Sequence, residues 1–549
     1  MYKNFNSYIE ETIKKNWDLP ALSDYRCEAS NYKDIAKQIA RLHIIFEECG
    51  IKKGDKISLA GRNSSNWAIA FLAILTYGAV AVPVLHEFKS DNVHNIINHS
   101  ESKFLFVGDV VWEGLIADEL QNVNAIILMT DLSFLHVKKT SIDHLNNAVN
   151  EIFDKKYKNG VTRNDVKYHI DTAEELAIIN YTSGTTGFSK GVMLPYRSIV
   201  ANIEVARTVL PQLQGGGIVA MLPMAHMYGL VFEIIFTLIS GCHIQFLTRM
   251  PTPKIILEAY SVVKPQLVIS VPLIVEKIFK RKIKPLFEKS SVRFLMKLPI
   301  IKQNIKKKIL KSLNQAFGDN VLVVIIGGAS FNREAEKFFK EVGFKYSVGY
   351  GMTECGPLIS YDDWTTTRLY SCGKPIPCVK VRIDNPHPET GIGEITVKGE
   401  NVFSGYFKNQ KATDAAFDAD GWFHTGDLGI LDNDGYLYIK GRSKNMILGP
   451  SGQNIYPEEI EDRLNNLPYI NESIVTDNGG KLVALIYPDY ERAYAEKLTD
   501  NDLGEILENG KNELNKQLPN YSQISRIKLY PEEFEKTPKK SIKRFLYER

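Results

Sequence analysis

The chain reads Tyr181-Thr-Ser-Gly-Thr-Thr-Gly-Phe-Ser-Lys-Gly191 shortly after Leu176-Ala-Ile-Ile179, an apolar run typical of a buried strand. Three glycines, five serine or threonine hydroxyls and one lysine share these eleven residues. Glycines let backbone N–H groups approach an anion, hydroxyls donate hydrogen bonds to it, and Lys190 adds a positive charge. This composition predicts a loop that wraps a polyphosphate, and therefore a chain that binds a nucleotide.

This glycine-rich loop differs from a Walker phosphate-binding loop. The Walker motif ends in Gly-Lys-Ser/Thr, whereas here Lys190 is followed by Gly191 and the spacing from Gly184 and Gly187 does not fit. A flexible surface loop of glycine, serine and threonine has the same composition. The other motifs of the chain must decide between a nucleotide-binding loop and a surface loop.

Length and composition are those of a multidomain globular protein. The chain has 549 residues, more than the ~250–300 at which a single core stops growing. Hydrophobic residues make up 44% and charged residues 24%, and the net charge of +3 predicts no general affinity for nucleic acid. The six cysteines form no CxxC pair and no metal-ligand spacing with histidine, so we expect free thiols in a reducing cytosol. The N-terminus lacks an apolar segment, so we expect no signal peptide.

Apolar runs rich in β-branched residues alternate with helical patterns through the first two thirds of the chain. These runs lie at residues 56–60, 79–84, 104–107, 125–129, 266–270 and 321–326. They predict an α/β fold with parallel-rich sheets covered by helices on both faces. After residue 370 the strands become short and turn-rich, which predicts a small antiparallel or β-barrel-like subdomain. We expect two such parallel-rich sheets in a large N-terminal domain, residues 1–441, and a small mobile α+β domain at 442–549.

The longest apolar stretch covers residues 67–85 and is long enough to consider as a membrane span. Tyr77, Gly78 and Pro83 interrupt it. The pattern therefore favours a helix, a tight turn and a buried strand.

A basic segment stands out at residues 276–311. It carries thirteen lysines and arginines against two glutamates, a local excess of +11, with apolar side chains interleaved. A solvated helical face explains this pattern. A peripheral contact with an anionic membrane is the functional alternative, since basic and apolar residues together suit that interface. Nucleic acid is disfavoured because the segment has no recognised binding motif.

Six further motifs follow the glycine-rich loop in order. They are Leu222-Pro-Met-Ala-His-Met-Tyr-Gly229, Ile326-Gly-Gly-Ala-Ser330, Tyr350-Gly-Met-Thr-Glu-Cys-Gly-Pro357, Gly421-Trp-Phe-His-Thr-Gly-Asp-Leu-Gly429, Gly441-Arg-Ser-Lys-Asn-Met-Ile447 and Gly452-Gln-Asn-Ile-Tyr-Pro-Glu-Glu-Ile-Glu461. With the loop, they resemble the signature motifs of the adenylate-forming superfamily, which includes acyl-CoA synthetases, adenylation domains and luciferases. The first and last of the six are most similar to the medium- and long-chain fatty-acyl branch.

The resemblance implies a site for ATP. Tyr350 would stack on adenine, Thr353 would donate to the α-phosphate, and Glu354 would bind Mg²⁺. Asp427 would accept both ribose hydroxyls, and Arg442 would contact the ribose or phosphate side. The other implied nucleotide contacts are Thr182, Ser183, Gly184, Thr185, Thr186, Gly187, Lys190, Gly328, Ala329, Ser330 and Gly351.

The resemblance also implies catalytic groups. His226, in the segment that contributes to the acyl pocket, would lie near the substrate carboxylate. Lys190 would act on the phosphates together with Thr353 and Glu354, and Thr186 is the second candidate magnesium ligand. Lys444 falls at the hinge about which the C-terminal domain rotates between the two half-reactions.

The C-terminus departs from the family pattern. Members end with Lys-Thr-Pro-x-Gly-Lys-Ile, whose second lysine bridges carboxylate and phosphate during adenylation. Here the segment reads Lys536-Thr-Pro-Lys-Lys-Ser-Ile-Lys-Arg544, which puts Ser541 at that position. Either Lys540 replaces the usual lysine after a one-residue shift of the backbone, or the first half-reaction is reduced.

Together these features predict an AMP-forming acyl-CoA synthetase. It would adenylate a medium- or long-chain fatty acid with ATP, release pyrophosphate and form a thioester with CoA, by positioning and electrostatics. We expect a cytoplasmic enzyme, with a peripheral contact at the inner membrane face as the alternative role of the basic segment. Two other functions stay open: a ligase that makes acyl-AMP or loads an acyl carrier protein, and a degenerate nucleotide- or acyl-binding protein, which Ser541 motivates.

Overall fold

The computed structural model of the chain describes residues 4–138, 140–182, 189–211, 213, 215–248, 251–279, 299–449, 453–537 and 542–547, with the backbone alone at 299–301. These residues form a large N-terminal domain with several sheets and a smaller C-terminal domain with one three-stranded sheet and a short hairpin. The α/β class predicted from the sequence is confirmed.

An eight-stranded mixed sheet forms the centre of the N-terminal domain. In spatial order its strands are Gly405–Tyr406, Lys190–Pro195, Leu176–Thr182, Val80–Val84, Lys56–Ala60, Phe104–Val107, Ala125–Leu128 and Phe134–Val137. The strands from Leu176–Thr182 to Ala125–Leu128 are parallel, and those beyond them at either edge are antiparallel. Apolar runs buried on both faces thus became parallel strands, as predicted.

Two smaller sheets also contain parallel strands. One consists of Gly217–Ala220, His243–Phe246, Pro20–Asp24 and Ser30–Asn31, of which the last is antiparallel. The other consists of Leu267–Ser270, Val323–Ile326 and Tyr346–Val348, all parallel. In the described part of the N-terminal domain, the parallel pairing is therefore spread over three sheets, one large and two small.

Helices cover these sheets. In the described part of the N-terminal domain they are Phe5–Lys15, Tyr32–Glu48, Ser65–Tyr77, Ser90–His99, Asp109–Trp112, Ile142–Lys156, Tyr196–Val209, Met227–Gly229, Phe236–Ile239, Pro253–Val263, Pro272–Ile278, Pro299–Ala316, Arg333–Val342 and Gln410–Asp414, with a π-helical turn at Leu230–Ile235. The apolar stretch 67–85 is a buried helix and a buried strand separated by Gly78, whose φ of 87° ends the helix. None of the helices in the described ranges has the length and apolar character that crossing a membrane would require.

The turn-rich part after residue 370 is an open antiparallel sheet. Its strands are Val379–Asp384, Gly393–Gly399, Phe423–Leu431 and Leu437–Arg442, and a three-stranded sheet of Tyr350–Gly351, Leu358–Tyr361 and Lys374–Pro375 precedes it. Within the described residues the two edge strands do not pair, so the barrel-like subdomain is not a closed barrel. Closing the sheet into a barrel would require its first and last strands to pair with each other.

The C-terminal domain is an α+β unit with its own core. Its strands are Ile447–Leu448, Asn454–Ile455, Ile470–Asp477, Leu482–Pro488 and Ile524–Leu529, and its helices are Pro457–Leu464, Tyr490–Ala495 and Asp500–Asn515. Ile460, Leu464 and Leu507 are buried there with other apolar residues of the same domain. The predicted helix at 457–464 begins with Pro457 and two acids, as helix N-termini prefer.

Polar contacts join the two domains. Lys440 Nζ lies 2.9 Å from Glu459 Oε1, and Arg333 Nε lies 3.2 Å from Asp462 Oδ2. Both acids lie on the Pro457–Leu464 helix. Contacts of this kind hold one orientation and can be exchanged for contacts with water at moderate cost.

A buried carboxylate in the N-terminal domain makes stability depend on pH. Glu336 is 2% exposed, and its Oε1 accepts a hydrogen bond from the Tyr370 backbone N–H at 2.9 Å. Burial raises the pKa of Glu336 from 4.5 to about 7. The folded chain therefore binds this proton more tightly than the unfolded chain, so stability decreases as pH rises from 4.5 to about 7.

We expect Glu336→Gln, which keeps an acceptor oxygen and cannot ionise, to stabilise the protein by about 1–3 kcal/mol at about pH 8. The advantage should shrink toward pH 5 or so, where the wild-type carboxyl is protonated. Melting temperatures of the wild-type protein and of Glu336→Gln, measured between about pH 5 and about pH 8, check this expectation. A difference that does not change with pH would contradict the assignment.

Candidate active site

The glycine-rich loop connects two paired strands. Leu176–Thr182 and Lys190–Pro195 are antiparallel, with Thr182 opposite Lys190 and Tyr181 opposite Gly191. The predicted contacts Ser183, Gly184, Thr185, Thr186 and Gly187 lie outside the described residues. A Walker loop leads from a strand into a helix, whereas this loop leads from strand to strand, which agrees with the difference in sequence.

Lys190 and Glu354 meet at one tyrosine. The Tyr406 hydroxyl donates to Glu354 Oε1 at 3.0 Å, and Lys190 Nζ lies 4.7 Å from the centre of the Tyr406 ring. Thr353 and Glu354 belong to the short 3₁₀ helix Thr353–Cys355 and are 5% and 9% exposed. The structure thus brings together three predicted catalytic residues, and it adds Tyr406, which the sequence did not indicate.

A second polar side chain fixes the 350–357 motif. Asn202, on the buried face of the Tyr196–Val209 helix, donates to the Cys355 carbonyl at 3.1 Å and accepts from the Leu358 backbone N–H at 2.9 Å. On the other side, the Phe403 backbone N–H donates to the Glu354 carbonyl at 2.8 Å. The backbone around Thr353 and Glu354 is therefore held from two elements.

The predicted ribose site is assembled around Asp427. Its Oδ2 accepts from the Tyr350 hydroxyl at 2.7 Å, and Arg442 Nε lies 3.0 Å from its Oδ1. Burial raises the pKa of Asp427, while the Arg442 guanidinium and the Tyr350 hydroxyl act in the opposite direction. Each carboxylate oxygen has a second lone pair, so Asp427 retains the capacity to accept two ribose hydroxyls.

The turn after the Val323–Ile326 strand contacts the predicted acyl segment. Gly328 has a φ of 87°, and residues 328–330 are exposed. The Tyr228 hydroxyl donates to the Ile325 carbonyl at 3.2 Å, and the Tyr228 ring lies where a Cβ on Gly327 would come within 3.2 Å of it. The predicted acyl segment and the turn that carries the predicted nucleotide contacts Gly328, Ala329 and Ser330 are thus neighbours in the structure.

The acyl segment is also tied to the strand that enters the glycine-rich loop. Asn180 Nδ2 donates to the Ala225 carbonyl at 2.8 Å, directly before His226, which is half-buried at the start of the Met227–Gly229 helix. The fully buried Glu233 accepts from the backbone N–H groups of Met221 and Leu222 at 3.2 and 3.0 Å. Burial raises the pKa of Glu233. Both side chains fix the backbone around His226, and neither belongs to a motif.

The predicted hinge lies in a tight turn between the domains. Lys444 belongs to the 3₁₀ helix Ser443–Asn445, and Asn445 Nδ2 donates to Glu458 Oε1 at 2.6 Å. The other oxygen of Glu458 lies 2.7 Å from where a Cβ on Gly441 would stand, so a side chain there would displace the Glu458 carboxylate. The role of Lys444 as hinge stays a prediction.

Lys540 and Ser541 lie outside the described residues, and their flanks are held tightly. Lys536 and Ile542 form an antiparallel bridge. Arg544 Nη1 lies 2.7 and 2.9 Å from the two oxygens of Glu461, and its Nη2 donates to the Val475 carbonyl at 3.0 Å. Glu461 ends the 452–461 motif, so one buried ion pair joins the two C-terminal motifs.

The donor groups present fit a magnesium ion that the nucleotide brings with it. Among the described residues, no cluster of three or more histidine, cysteine, aspartate or glutamate side chains could hold a metal by itself. Mg²⁺ is commonly bound through one or two carboxylates together with substrate phosphates, and Glu354 offers one carboxylate.

The basic segment is described at its two ends, in the helices Pro272–Ile278 and Pro299–Ala316. In the second helix Lys306 Nζ lies 3.8 Å from Glu341 Oε2. Most of the segment, residues 280–298, lies outside the described residues.

Comparison with known proteins shows the family of the chain. A family model described as AMP-binding enzyme matches residues 9–407, and one described as AMP-binding enzyme C-terminal domain matches residues 444–549. The chain is 27% identical to long-chain-fatty-acid–CoA ligase FadD15 of Mycobacterium bovis, over 93% of this chain and 89% of the relative. It is 26% identical to long-chain-fatty-acid–[acyl-carrier-protein] ligase AEE15 of Arabidopsis thaliana, over 84% of this chain and 72% of the relative.

A solved structure extends the likeness to the whole fold. The anthranilate CoA ligase AuaEII in complex with anthranoyl-AMP superposes with a TM-score of 0.80 at 18% identity, covering 100% of this chain and 96% of that one. At this identity the likeness concerns the fold.

Proposed function

Because the chain belongs to the family of AMP-binding enzymes, we propose that it is an AMP-forming acyl-CoA synthetase acting on a medium- or long-chain fatty acid. The observation that carries the proposal is the convergence at Tyr406 of Lys190, from the glycine-rich hairpin, and Glu354, from the 350–357 motif. Relatives named as long-chain-fatty-acid–CoA ligases support the choice of substrate.

The first half-reaction solves a problem of charge. A carboxylate resists attack because the attack must build up more negative charge, so the acid is first joined to the α-phosphate of ATP and pyrophosphate leaves. Thr353 would donate to the α-phosphate, and Lys190 would contact the β- and γ-phosphates that depart. Preorganised donors of this kind lower the barrier because they are already oriented toward the developing charge.

The nucleoside would be held by the Asp427 cluster. Asp427 accepts the ribose hydroxyls, Arg442 holds the carboxylate in place, and the Tyr350 ring offers a face for adenine. Glu354, with Thr186 as the second candidate, would hold magnesium, which when bound neutralises charge on the phosphates. His226 would lie near the acyl carboxylate, at the end of the segment that Asn180 and Glu233 fix.

The second half-reaction would use the C-terminal domain. We place its boundary after residue 441 and its hinge at Lys444, so that rotation exchanges the Lys536–Arg544 segment for the 452–461 motif beside the adenylate. The thiol of CoA then attacks the acyl carbonyl and AMP leaves. The polar contacts of Lys440 and Arg333 with the Pro457–Leu464 helix suit a domain that docks and undocks.

The product of the complete reaction shows which thiol accepts the acyl group. We expect incubation with ATP, Mg²⁺, palmitate and CoA to yield palmitoyl-CoA and AMP, detected by mass spectrometry. An acyl carrier protein bearing pantetheine is the second candidate acceptor, which the relative named as an acyl-carrier-protein ligase favours. Product with the carrier protein and none with CoA would reverse this assignment, and a chain without any activity would fit a degenerate binding protein.

The proposed location is the cytoplasm. The charge of the 276–311 segment supports a peripheral contact with the inner membrane face, because anionic lipids attract such segments. Sedimentation of the protein with anionic but not with neutral vesicles would support that contact, and equal sedimentation with both would contradict it.

A further inference from the structure

Tyr406 contacts two charged groups of the proposed site through different parts of its side chain. Its hydroxyl donates to Glu354 Oε1 at 3.0 Å, and its ring face lies 4.7 Å from Lys190 Nζ. The side chain is 8% exposed. Tyr406 therefore makes polar contacts in addition to packing in the core: it donates a hydrogen bond to a carboxylate and faces an ammonium group.

The backbone of Tyr406 is tied to the strand that begins at Lys190. Gly405 and Tyr406 pair with Met193 and Val192, and the Phe407 backbone N–H donates to the Gly191 carbonyl at 2.7 Å. The position of the ring relative to Lys190 is therefore set by a sheet edge and not by a flexible loop.

The ring itself is held on the side of Glu354. It packs at 4.9 Å, edge to face, against the Phe403 ring, and the Phe403 backbone N–H donates to the Glu354 carbonyl. The Tyr406 backbone N–H donates to Thr413 Oγ1 at 2.9 Å. Tyr406 is thus fixed to the segments of both charged residues.

We propose that Tyr406 is a positioning residue that keeps Lys190 and Glu354 apart from each other. Both charged groups then remain available to MgATP. Opposite charges in one poorly solvated site attract strongly and would form an ion pair that uses the groups a ligand needs. The ring gives Lys190 a partner that leaves its N–H donors free for phosphate. The hydroxyl occupies one oxygen of Glu354 and leaves the other for a cation.

The inference rests on the proposed function for the identity of the ligand. Its test is binding of ATP, measured by calorimetry at several Mg²⁺ concentrations in the absence of acid and CoA, so that no turnover is needed. Tyr406→Phe removes the hydroxyl and keeps the ring, whereas Tyr406→Leu removes both. Melting temperatures report whether each variant folds.

Tyr436→Phe is a matched control. Tyr436 is also buried, its hydroxyl donates to the Thr366 carbonyl at 3.2 Å, and Arg368 and Lys374 face its ring at 4.0 and 4.8 Å. It lies in the turn between the Phe423–Leu431 and Leu437–Arg442 strands, and these contacts include neither Lys190 nor Glu354. Loss of a buried tyrosine hydroxyl is thus compared in two places.

We expect Tyr406→Phe to raise the Mg²⁺ concentration needed for half-maximal ATP binding by about 10-fold, because the variant loses a group that orients a metal ligand. Tyr436→Phe should leave this concentration within about twofold of the wild-type value. Tyr406→Leu should in addition weaken ATP binding at saturating Mg²⁺ by about fivefold, because Lys190 loses the ring.

A Mg²⁺ requirement of Tyr406→Phe equal to that of Tyr436→Phe would overturn the inference. Wild-type protein that binds no MgATP would overturn the inference and the proposed function together. The expected shift in a protein that binds MgATP but makes no acyl-adenylate would support the inference and refute the function.

Discussion

Replacement of Glu354 by glutamine is expected to lower ATP–pyrophosphate exchange by about 100- to 1,000-fold at saturating ATP. The substitution removes the carboxylate proposed to bind magnesium, and with it much of the stabilisation of phosphate charge. Glutamine has nearly the same shape and an acceptor oxygen for the Tyr406 hydroxyl, which donates to Glu354 Oε1 at 3.0 Å. The fold around the 3₁₀ helix should therefore survive, and initial rates of exchange measure the loss directly.

Glu400→Gln is the control for this variant. Glu400 is an exposed glutamate in the same domain, so its substitution removes the same charge without touching the site. It should exchange at the wild-type rate. Glu354→Gln exchanging as fast as Glu400→Gln would show that Glu354 does not hold the cation.

Replacement of Lys540 by alanine has the second largest expected effect. If Lys540 takes the place of the usual lysine at Ser541, ATP–pyrophosphate exchange should fall by about 100-fold. Conversion of preformed acyl-adenylate to thioester should stay unchanged, because a group that binds the transition state of one step contributes to that step alone. The bridge between Lys536 and Ile542 and the Arg544–Glu461 ion pair fix the two flanks of this segment.

Two neighbouring substitutions separate the hypotheses. Lys539→Ala removes an adjacent lysine and should leave exchange near the wild-type rate. Ser541→Lys restores the family pattern and should increase exchange if the natural chain is impaired in the first half-reaction. Unchanged exchange in Lys540→Ala, together with faster exchange in Ser541→Lys, would refute the hypothesis that Lys540 replaces the usual lysine.

Much of the fold could be predicted because it depends on local patterns. The apolar runs at 56–60 and 104–107 became strands with those limits, and residues 67–85 divided at Gly78 into a helix and a strand. The pattern after residue 370 predicted an antiparallel or barrel-like subdomain without deciding between them, since short turn-rich strands occur alike in open sheets and in closed barrels. The structure has an open antiparallel sheet there.

Ordered motifs predicted which residues belong to the candidate site. The structure brings Tyr350, Asp427 and Arg442, which come from three separate motifs, into contact. Tyr406 and Asn202 were missed because each is a single polar residue whose partner lies far away in sequence: Tyr406 meets Glu354 across 52 positions, and Asn202 meets Cys355 across 153. Such contacts depend on which elements the fold brings together, and a single sequence carries no local sign of them.

The central claim is that the chain activates a fatty acid as an acyl-adenylate before any thiol takes part. It is tested most directly by exchange of labelled pyrophosphate into ATP in the absence of CoA, with a panel of acids from acetate to oleate. We predict exchange that requires the acid and is fastest with medium- or long-chain members of the panel. Wild-type protein that binds MgATP and shows no acid-dependent exchange with any of them would contradict the account.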